Sequence, residues 1–483
     1  MKMASWIPAC MATCPVGVRA HGYIALIAQC RFREALEVVR RDNPLPGVSG
    51  RVCTHPCEES CERRNVDEPL AIAQLKRFIA DYELKNNPKM PPPARRTREE
   101  KIAIIGSGPA GITAAYYLIL KGYGVTVFES LPVLGGMLTS CIPPNRLPQE
   151  VVEYEINRIR ALGVEMKTGI TVGKNPSLEN LKKDYAVIFI AVGAYQSLKL
   201  DIPGEDDFEG VVDCVTFLRN VNLGQRNKPG ERICIVGGGN AALDAARTAI
   251  RLGSREVRIL YRRSRKEMPT SLKEIKAAQE EGVKILYLVS PNRIIGQNGK
   301  VTGVECVKNR LGKPDSSGRR RPVPVAGSEF TVAADCVIPA VSQQPDLSFL
   351  PDNNDFKISE SNCFIVNPVT LETNKTGIFA GGDDVTGPYT VIGAMAHGRT
   401  AATKIDRYLR RLDMEDGNSI SSSKITLTEA EINQVDRTTR SKMPTLPIHE
   451  RKTSFNEVEL GFDEEQAVSE AKRCLRCWTR RQN

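Results

Sequence analysis

Apolar residues along this chain follow more than one rhythm. Between residues 15 and 85 they recur at helical spacing: Ile24 with Ile27, Leu36 with Val39, then Leu70, Ile72, Leu75 and Ile79. DNPLPGVSGR (42–51) interrupts that pattern and reads as a loop, with a further helix expected over about 69–84. The Pro- and Arg-rich KNNPKMPPPARRTREE then marks a linker. From Lys101 the texture changes to short apolar runs alternating with helices: KIAIIG, GITAAYYLILKG, VTVFES. Strand–helix–strand units of this kind favour a parallel sheet. The order returns at residue 232 as RICIVG, AALDAARTAIRLG and VRILYRR. DYAVIFIAVGA (184–194) reads as a buried strand ending in a turn at Gly193, and DCVIPAVSQQP and TGIFAGGDD as two more strands. Residues 411–483 are polar, show little strand pattern, and close on a helix over DEEQAVSEAKRCLRCW with Asp463 as N-cap. The expected fold class is α/β, with two Rossmann-like dinucleotide-binding domains preceded by a small helical domain.

The chain has 483 residues, 41% hydrophobic and 26% charged, within the ordinary globular range. Its net charge of +10 is too dilute to argue for nucleic acid. No apolar run is long enough for a membrane span, and the N-terminus has no signal-peptide shape, so a cytoplasmic location is expected.

Each unit carries a glycine fingerprint between strand and helix. The first is GSGPAG, with Gly106, Gly108, Pro109, Ala110 and Gly111; Glu129 ends the following strand. An acidic residue there accepts from a ribose hydroxyl and repels a 2′-phosphate, so this unit suits FAD or NAD. The second is GGGNAA, with Gly237, Gly239, Asn240 and Ala241. Its second strand ends in Arg262 and Arg263, with Arg265 and Lys266 beyond, a basic tip that favours NADP(H) over NAD(H).

Of 14 cysteines, six fall within the first 61 residues and two near the end of the chain. Cys10 and Cys14 are spaced C-x3-C followed by Pro15; Cys53, Cys57 and Cys61 are spaced C-x3-C-x3-C; Cys474 and Cys477 give C-x2-C. Such spacings suit iron–sulfur clusters, with four-thiolate zinc as the competing reading. Cys30 falls at a predicted helix–helix turn and reads as structural. Cys141, Cys214, Cys234, Cys306, Cys336 and Cys363 are isolated and read as small buried hydrophobes, so no redox disulfide serves the flavin.

GSGPAG, GGML (135–138), IPPNRLP (142–148), GGGNAALDAARTAIRLG, YRRSRKEMP, VIPAVSQQPD and GIFAGGDDVTGPYTVIGAMAHGRTAA, in that order, resemble the small subunit of glutamate synthase. They are also similar to the amino-terminal part of dihydropyrimidine dehydrogenase and to related flavin subunits of electron-transfer complexes. The resemblance covers most of residues 10–410. It implies FAD held by Gly106, Gly108, Gly111, Glu129, Gly136, Met137 and Arg146, and closed over by Gly382, Asp383 and the TVIGA segment with Thr390, Val391 and Ala394. It divides the chain into a helical iron–sulfur domain (1–95), an FAD domain (96–228 and 337–410), an NAD(P)H domain (229–336) and a tail (411–483).

Such families carry an EA-x-R-C-L-x-C segment just before the first C-x3-C-P, where it completes a cluster. Here EAKRCLRC (470–477) lies at the opposite end of the chain. The resemblance therefore implies a tail that returns, with one [4Fe–4S] cluster on Cys10, Cys61, Cys474 and Cys477 and a second on Cys14, Cys53 and Cys57. Relatives supply Gln or Glu as a further ligand of the second cluster; the matching position here is Lys76, with Gln74 close by and His55 between two of the ligands, Cys53 and Cys57. One or two clusters are therefore expected.

No nucleophile, paired-carboxylate or hydrolytic metal constellation stands out. His397 either tunes the flavin or packs in its helix. The expected activity is electron transfer between NADPH and a partner protein, ferredoxin-like or a larger catalytic subunit, through FAD and clusters in a hetero-oligomeric complex. The alternatives are the small subunit of an NADPH-dependent glutamate synthase and a non-catalytic FAD-binding assembly protein.

Overall fold

The computed structural model describes residues 5–86, 88–315, 317–351, 354–414 and 422–481. Its N-terminal part is helical. In Phe32–Asp42, residues Phe32, Ala35, Leu36 and Val39 form one buried stripe. That stripe meets the helix Ile72–Lys85, with Phe32 edge-on to Phe78 at 5.0 Å between ring centroids. The expected loop over 42–51 instead contains the helix Pro46–Val52, with Pro46 at its start. Its glycines serve contact rather than flexibility: a Cβ on Gly50 would stand 2.7 Å from the Arg77 Cα.

Two parallel sheets follow. The first runs Ile378–Ala380, Val187–Ile190, Lys101–Ile105, Gly124–Phe128, Glu165–Lys167. Ile102 to Ile105 are all buried, as a strand covered on both faces requires. The second runs Cys336–Pro339, Arg232–Val236, Glu256–Tyr261, Lys284–Tyr287. The strand Cys336–Pro339 therefore closes the second sheet, although residues from 337 onward were expected in the FAD domain. Its all-buried CVIP pairs Val337 with Cys234, and apolarity alone does not say which sheet a strand joins. An antiparallel sheet of Val289–Gln297, Lys300–Pro314, Arg320–Pro324 and Phe330–Ala333 lies between the third and fourth of these elements in sequence and was not foreseen.

The tail runs back along all of this. Ser422–Ile425 pairs in parallel with Ser5–Pro8, a strand that the polar composition conceals. Asp463 caps Glu464–Lys472 in a reciprocal box with Gln466. Arg51 binds Asp81 at 2.8 Å and Glu457 at 2.7 Å, Arg473 binds Asp67 at 2.8 Å, and Arg440 binds Glu58 at 2.7 Å. Val458 donates to the Asn145 carbonyl at 2.9 Å, and Lys273 and Arg451 join the tail to the second nucleotide unit through Glu459 and Glu280.

Inside that unit Glu281 is fully buried and accepts from both Arg247 and Arg251 at 2.7 Å. Glu281→Ala would leave the buried Arg251 without a carboxylate and Arg247 with Glu274 alone, at 3.1 Å. It is expected to lower unfolding free energy by about 3–5 kcal/mol, read as a fall in the denaturant midpoint.

Candidate functional site

A cavity of about 310 Å³ opens at the carboxyl ends of Lys101–Ile105 and Val187–Ile190. Gly106 has φ +104°, and a Cβ there would stand 2.3 Å from the Ala191 carbonyl oxygen. Gly108 faces open space. Gly108, Pro109 and Ala110 line the cavity where the helix Pro109–Leu120 begins, an anion-binding arrangement. Gly111 does not line it; a Cβ there would meet the Gly106 carbonyl at 2.0 Å, so its role is close packing of helix on strand.

Glu129 is buried in the wall. One carboxylate oxygen accepts from the Ser107 N–H at 3.1 Å and hydroxyl at 2.6 Å, the other from the Leu131 N–H at 2.9 Å. The second oxygen also accepts from the Ser130 hydroxyl at the long distance of 3.3 Å, the bond that a ribose hydroxyl would replace. Gly136, Met137 and Gly193 line the same cavity.

The far wall holds Gly382, Asp383, Thr390, Val391 and Ala394. Thr390 caps the helix Val391–Leu409 by accepting from Gly393 at 3.1 Å, so a positive helix end borders the cavity. Burial pushes the Asp383 carboxyl up to about 6, opposed by the Tyr389 backbone N–H. Behind it Asp384 is fully buried, with Oδ2 accepting from Val192 at 3.1 Å and Oδ1 without a partner among the described residues. His397 Nδ1 accepts from the Gly382 N–H at 3.1 Å; the imidazole thus holds the glycine turn that shapes this wall.

Arg146 lies elsewhere. It is not part of the cavity wall and pairs with Asp244 at 2.8 Å, joining the IPPNRLP turn to the helix Asn240–Arg251 of the second unit. Ser107, Ile170, Asp346, Ser348 and Phe349 are among the further residues that line the cavity and were not singled out in the sequence. Ser107 sits inside the fingerprint and could have been read there. Asp346 ends the VIPAVSQQPD motif, while Ile170, Ser348 and Phe349 come from loops without a pattern.

The second fingerprint repeats the first. A Cβ on Gly237 would stand 2.2 Å from the Ala340 carbonyl, Gly239 faces open space, and Asn240 and Ala241 begin the helix. At the strand tip Arg262, Arg265 and Lys266 are exposed. Arg263 is not available in the same way: it is buried, pairs with Asp315 at 2.6 Å and donates to the Arg320 carbonyl at 2.8 Å. The antiparallel sheet supplies both partners.

Cys10, Cys61, Cys474 and Cys477 line one cavity, together with His21 and Trp478. The His21 and Trp478 rings lie 4.8 Å apart, and His21 Nδ1 has no partner among the described residues. Burial and the neighbouring thiols push Cys477 up to about 12, and burial pushes Cys474 up to about 11. Cys10 is raised further, by burial and then by Cys474, Cys61 and Cys477. These thiols are stable as neutral groups, and only a strongly cationic core can hold them together as thiolates, releasing their protons. Among the described residues no three metal-binding side chains converge tightly enough for a lone ion. Thiols ringing a cavity suit a cluster, which is itself several bonds across, better than one zinc.

Cys14, Cys53 and Cys57 form the second group, Cys53 and Cys14 both raising the buried Cys57 thiol. The His55 N–H donates to Cys53 Sγ at 3.3 Å. Cys30 is exposed, and the six isolated cysteines are buried.

Two family models match the chain: pyridine nucleotide-disulphide oxidoreductase over residues 100–398, and dihydropyrimidine dehydrogenase domain II, 4Fe-4S cluster, over residues 5–88. The beta subunit of NADP(+)-dependent formate dehydrogenase from Moorella thermoacetica is 43% identical over 97% of this chain and 70% of its own length. The beta subunit of NADPH-Fe(3+) oxidoreductase from Geobacter sulfurreducens is 40% identical over 97% and 75%. The glutamate synthase [NADPH] small chain of Azospirillum brasilense is 34% identical over 84% and 87%. Among solved structures, FprA of Mycobacterium tuberculosis in complex with NADPH shares the fold, with a TM-score of 0.54 at 21% identity over 65% of this chain and 85% of its own.

Replacing Cys474 and Cys477 with serine is expected to remove about half of the bound iron and sulfide while FAD is retained. Cys30→Ser should leave both unchanged. Iron, sulfide and flavin assays on anaerobically purified protein check this.

Proposed function

The chain belongs to the pyridine nucleotide-disulphide oxidoreductase family and carries a dihydropyrimidine dehydrogenase-type 4Fe-4S domain; from that premise we propose that it passes electrons between NADPH and a catalytic partner subunit. It is an FAD- and [4Fe–4S]-containing NAD(P)H oxidoreductase subunit. The observation that carries the reading is the gathering of four cysteines from both ends of one chain into a single cavity, in a protein whose middle builds two nucleotide fingerprints. The three relatives reported above are each named as one subunit of a larger enzyme, which supports a hetero-oligomer. A ferredoxin-like protein or a larger catalytic subunit would fill that role. Among the described residues no helix is long and apolar enough to cross a membrane, and we place the protein in the cytoplasm.

FAD bound in the first cavity would take electrons in pairs from a nicotinamide and release them singly to a cluster. The chain's own residues supply the setting. The backbone from Gly106 to Ala110 offers N–H groups to a pyrophosphate, and Glu129 accepts from a ribose. The N-terminus of Val391–Leu409 favours negative charge at the other end. Asp383 and the turn held by His397 border the same wall.

At the second fingerprint Gly239 opens the helix end to phosphate, and Arg262 with Arg265 and Lys266 receives the 2′-phosphate of NADPH. Cys10, Cys61, Cys474 and Cys477 hold one cluster, and Cys14, Cys53 and Cys57 the other.

NADPH is expected to bleach the flavin anaerobically and to raise cluster EPR signals. A flavin left oxidised by either pyridine coenzyme would sink the proposal and favour an assembly protein. A co-purifying large amidotransferase subunit would instead identify a glutamate synthase small subunit. Arg262→Ala should raise KM for NADPH about ten- to a hundredfold, the loss of one charge-assisted contact, with KM for NADH little changed.

A further inference from the structure

The antiparallel sheet turns back at the tip of the second nucleotide unit. Its strands Lys300–Pro314 and Arg320–Pro324 pair with Pro314 opposite Arg320, so the bend between them spans 315–319. The Asp315 N–H donates to the Arg319 carbonyl at 2.9 Å and closes that bend. Arg263, just beyond the strand Glu256–Tyr261, fixes it in place: Nη2 donates to the Asp315 carboxylate at 2.6 Å and Nε to the Arg320 carbonyl at 2.8 Å. Arg320 adds an ion pair with Glu267 at 2.6 Å, and Asn309 donates to the Arg262 carbonyl at 3.1 Å. The bend is thus tied to the strand tip at three points.

Arg319 is carried by this bend and is left over. Its Nε donates to the Ser317 hydroxyl at 3.0 Å, and among the described residues no carboxylate pairs with it. The same holds for the exposed Arg262. The two cations are neighbours. Partial desolvation first, then the charges of Arg263 and Arg319, hold the Arg262 guanidinium below its usual range, with Tyr261 and Asp315 opposing. Arg263 and Arg319 also act together on the Tyr261 phenol, pulling it down against the burial that raises it. Asp315 is already claimed by Arg263. Two unpaired guanidinium groups held near each other repel, and a phosphate that accepts from both relieves the repulsion.

We propose that Arg319 is the second half of the 2′-phosphate site: it receives the phosphate of NADPH together with Arg262, and Arg263 is the strut that places the bend. The antiparallel sheet is then a coenzyme-selecting element rather than a spacer between strands of the parallel sheet. NADH carries a hydroxyl at this position and would leave the two cations without a counter-charge, so selection works against the wrong coenzyme as well as for the right one. The inference rests on the NADPH reading above, and on Arg262 in particular.

The test uses the full-length holoprotein with its flavin oxidised. NADP+ and NAD+ differ only in the 2′-phosphate, and calorimetric titration reads the binding of each without turnover. Arg319→Ala is expected to raise Kd for NADP+ about ten- to a hundredfold and to leave Kd for NAD+ within about twofold. Arg262→Ala should do the same. Arg321→Ala removes an exposed cation two residues along, to which the proposal gives no role, and should change neither value.

Weaker NADP+ binding in Arg262→Ala but not in Arg319→Ala overturns this inference while leaving the NADPH reading intact. No change in either variant overturns both. An equal loss of NADP+ and NAD+ in Arg319→Ala would mark a distorted bend and overturn the proposal. So would a loss in Arg321→Ala as large as that in Arg319→Ala, which would mark a diffuse field in place of a clamp. Should Arg319→Ala fail to fold, judged by lost flavin, Arg319→Gln removes the charge, keeps much of the stem and is read against the same outcomes.

Discussion

Like charges gathered in a low-dielectric interior repel, and that constraint governs this chain from its two ends inward. Cys10, Cys61, Cys474 and Cys477 ring one cavity, each with its thiol pushed above its ordinary range, mostly by burial. As thiolates they would drive the ends of the chain apart. As ligands of a cationic iron core, the role proposed for them, they would hold those ends together. The returning tail, its ion pairs and the parallel pairing of Ser5–Pro8 with Ser422–Ile425 all serve that closure.

The tail also does more than deliver ligands. Between its strand and its cysteines it pairs Glu457 with Arg51 and Arg77 in the helical domain, and bonds Val458 to Asn145 in the IPPNRLP turn. Glu459 and Arg451 then reach the NADPH unit. One strap thus touches every unit that an electron would visit. Arg146 with Asp244 adds a second link between the FAD and NADPH units, at 19% and 10% side-chain exposure, where a partly dried ion pair is stronger than a surface one.

Much of this could be read from the residues, because fingerprint and ligand chemistry are local. Gly106 and Gly108 with Glu129, the repeat at Gly237 and Gly239, and the cysteine spacings each carry their reason within a few positions. What stayed hidden depends on partners distant in sequence. Arg146 looks like a phosphate or flavin contact until Asp244 is brought to it. Arg263 looks like the twin of Arg262 until Asp315 claims it. Pro46–Val52 reads as a loop because its proline and glycines suit one, and only the close approach of Gly50 to Arg77 shows why a helix keeps that glycine. CVIP is a buried strand in any reading, but its neighbour is chosen by hydrogen bonding to Ile233–Val236 and not by hydropathy.

The position of Cys474 and Cys477 also imposes an order on biogenesis. Every residue lining the flavin cavity lies between 105 and 394, so that compartment can be complete while the ribosome is still translating. The ring of four thiols does not exist until Cys477 has been added to the chain. On the proposed reading, insertion of iron and sulfide there waits for Cys477, which is added after every residue that lines the first cavity.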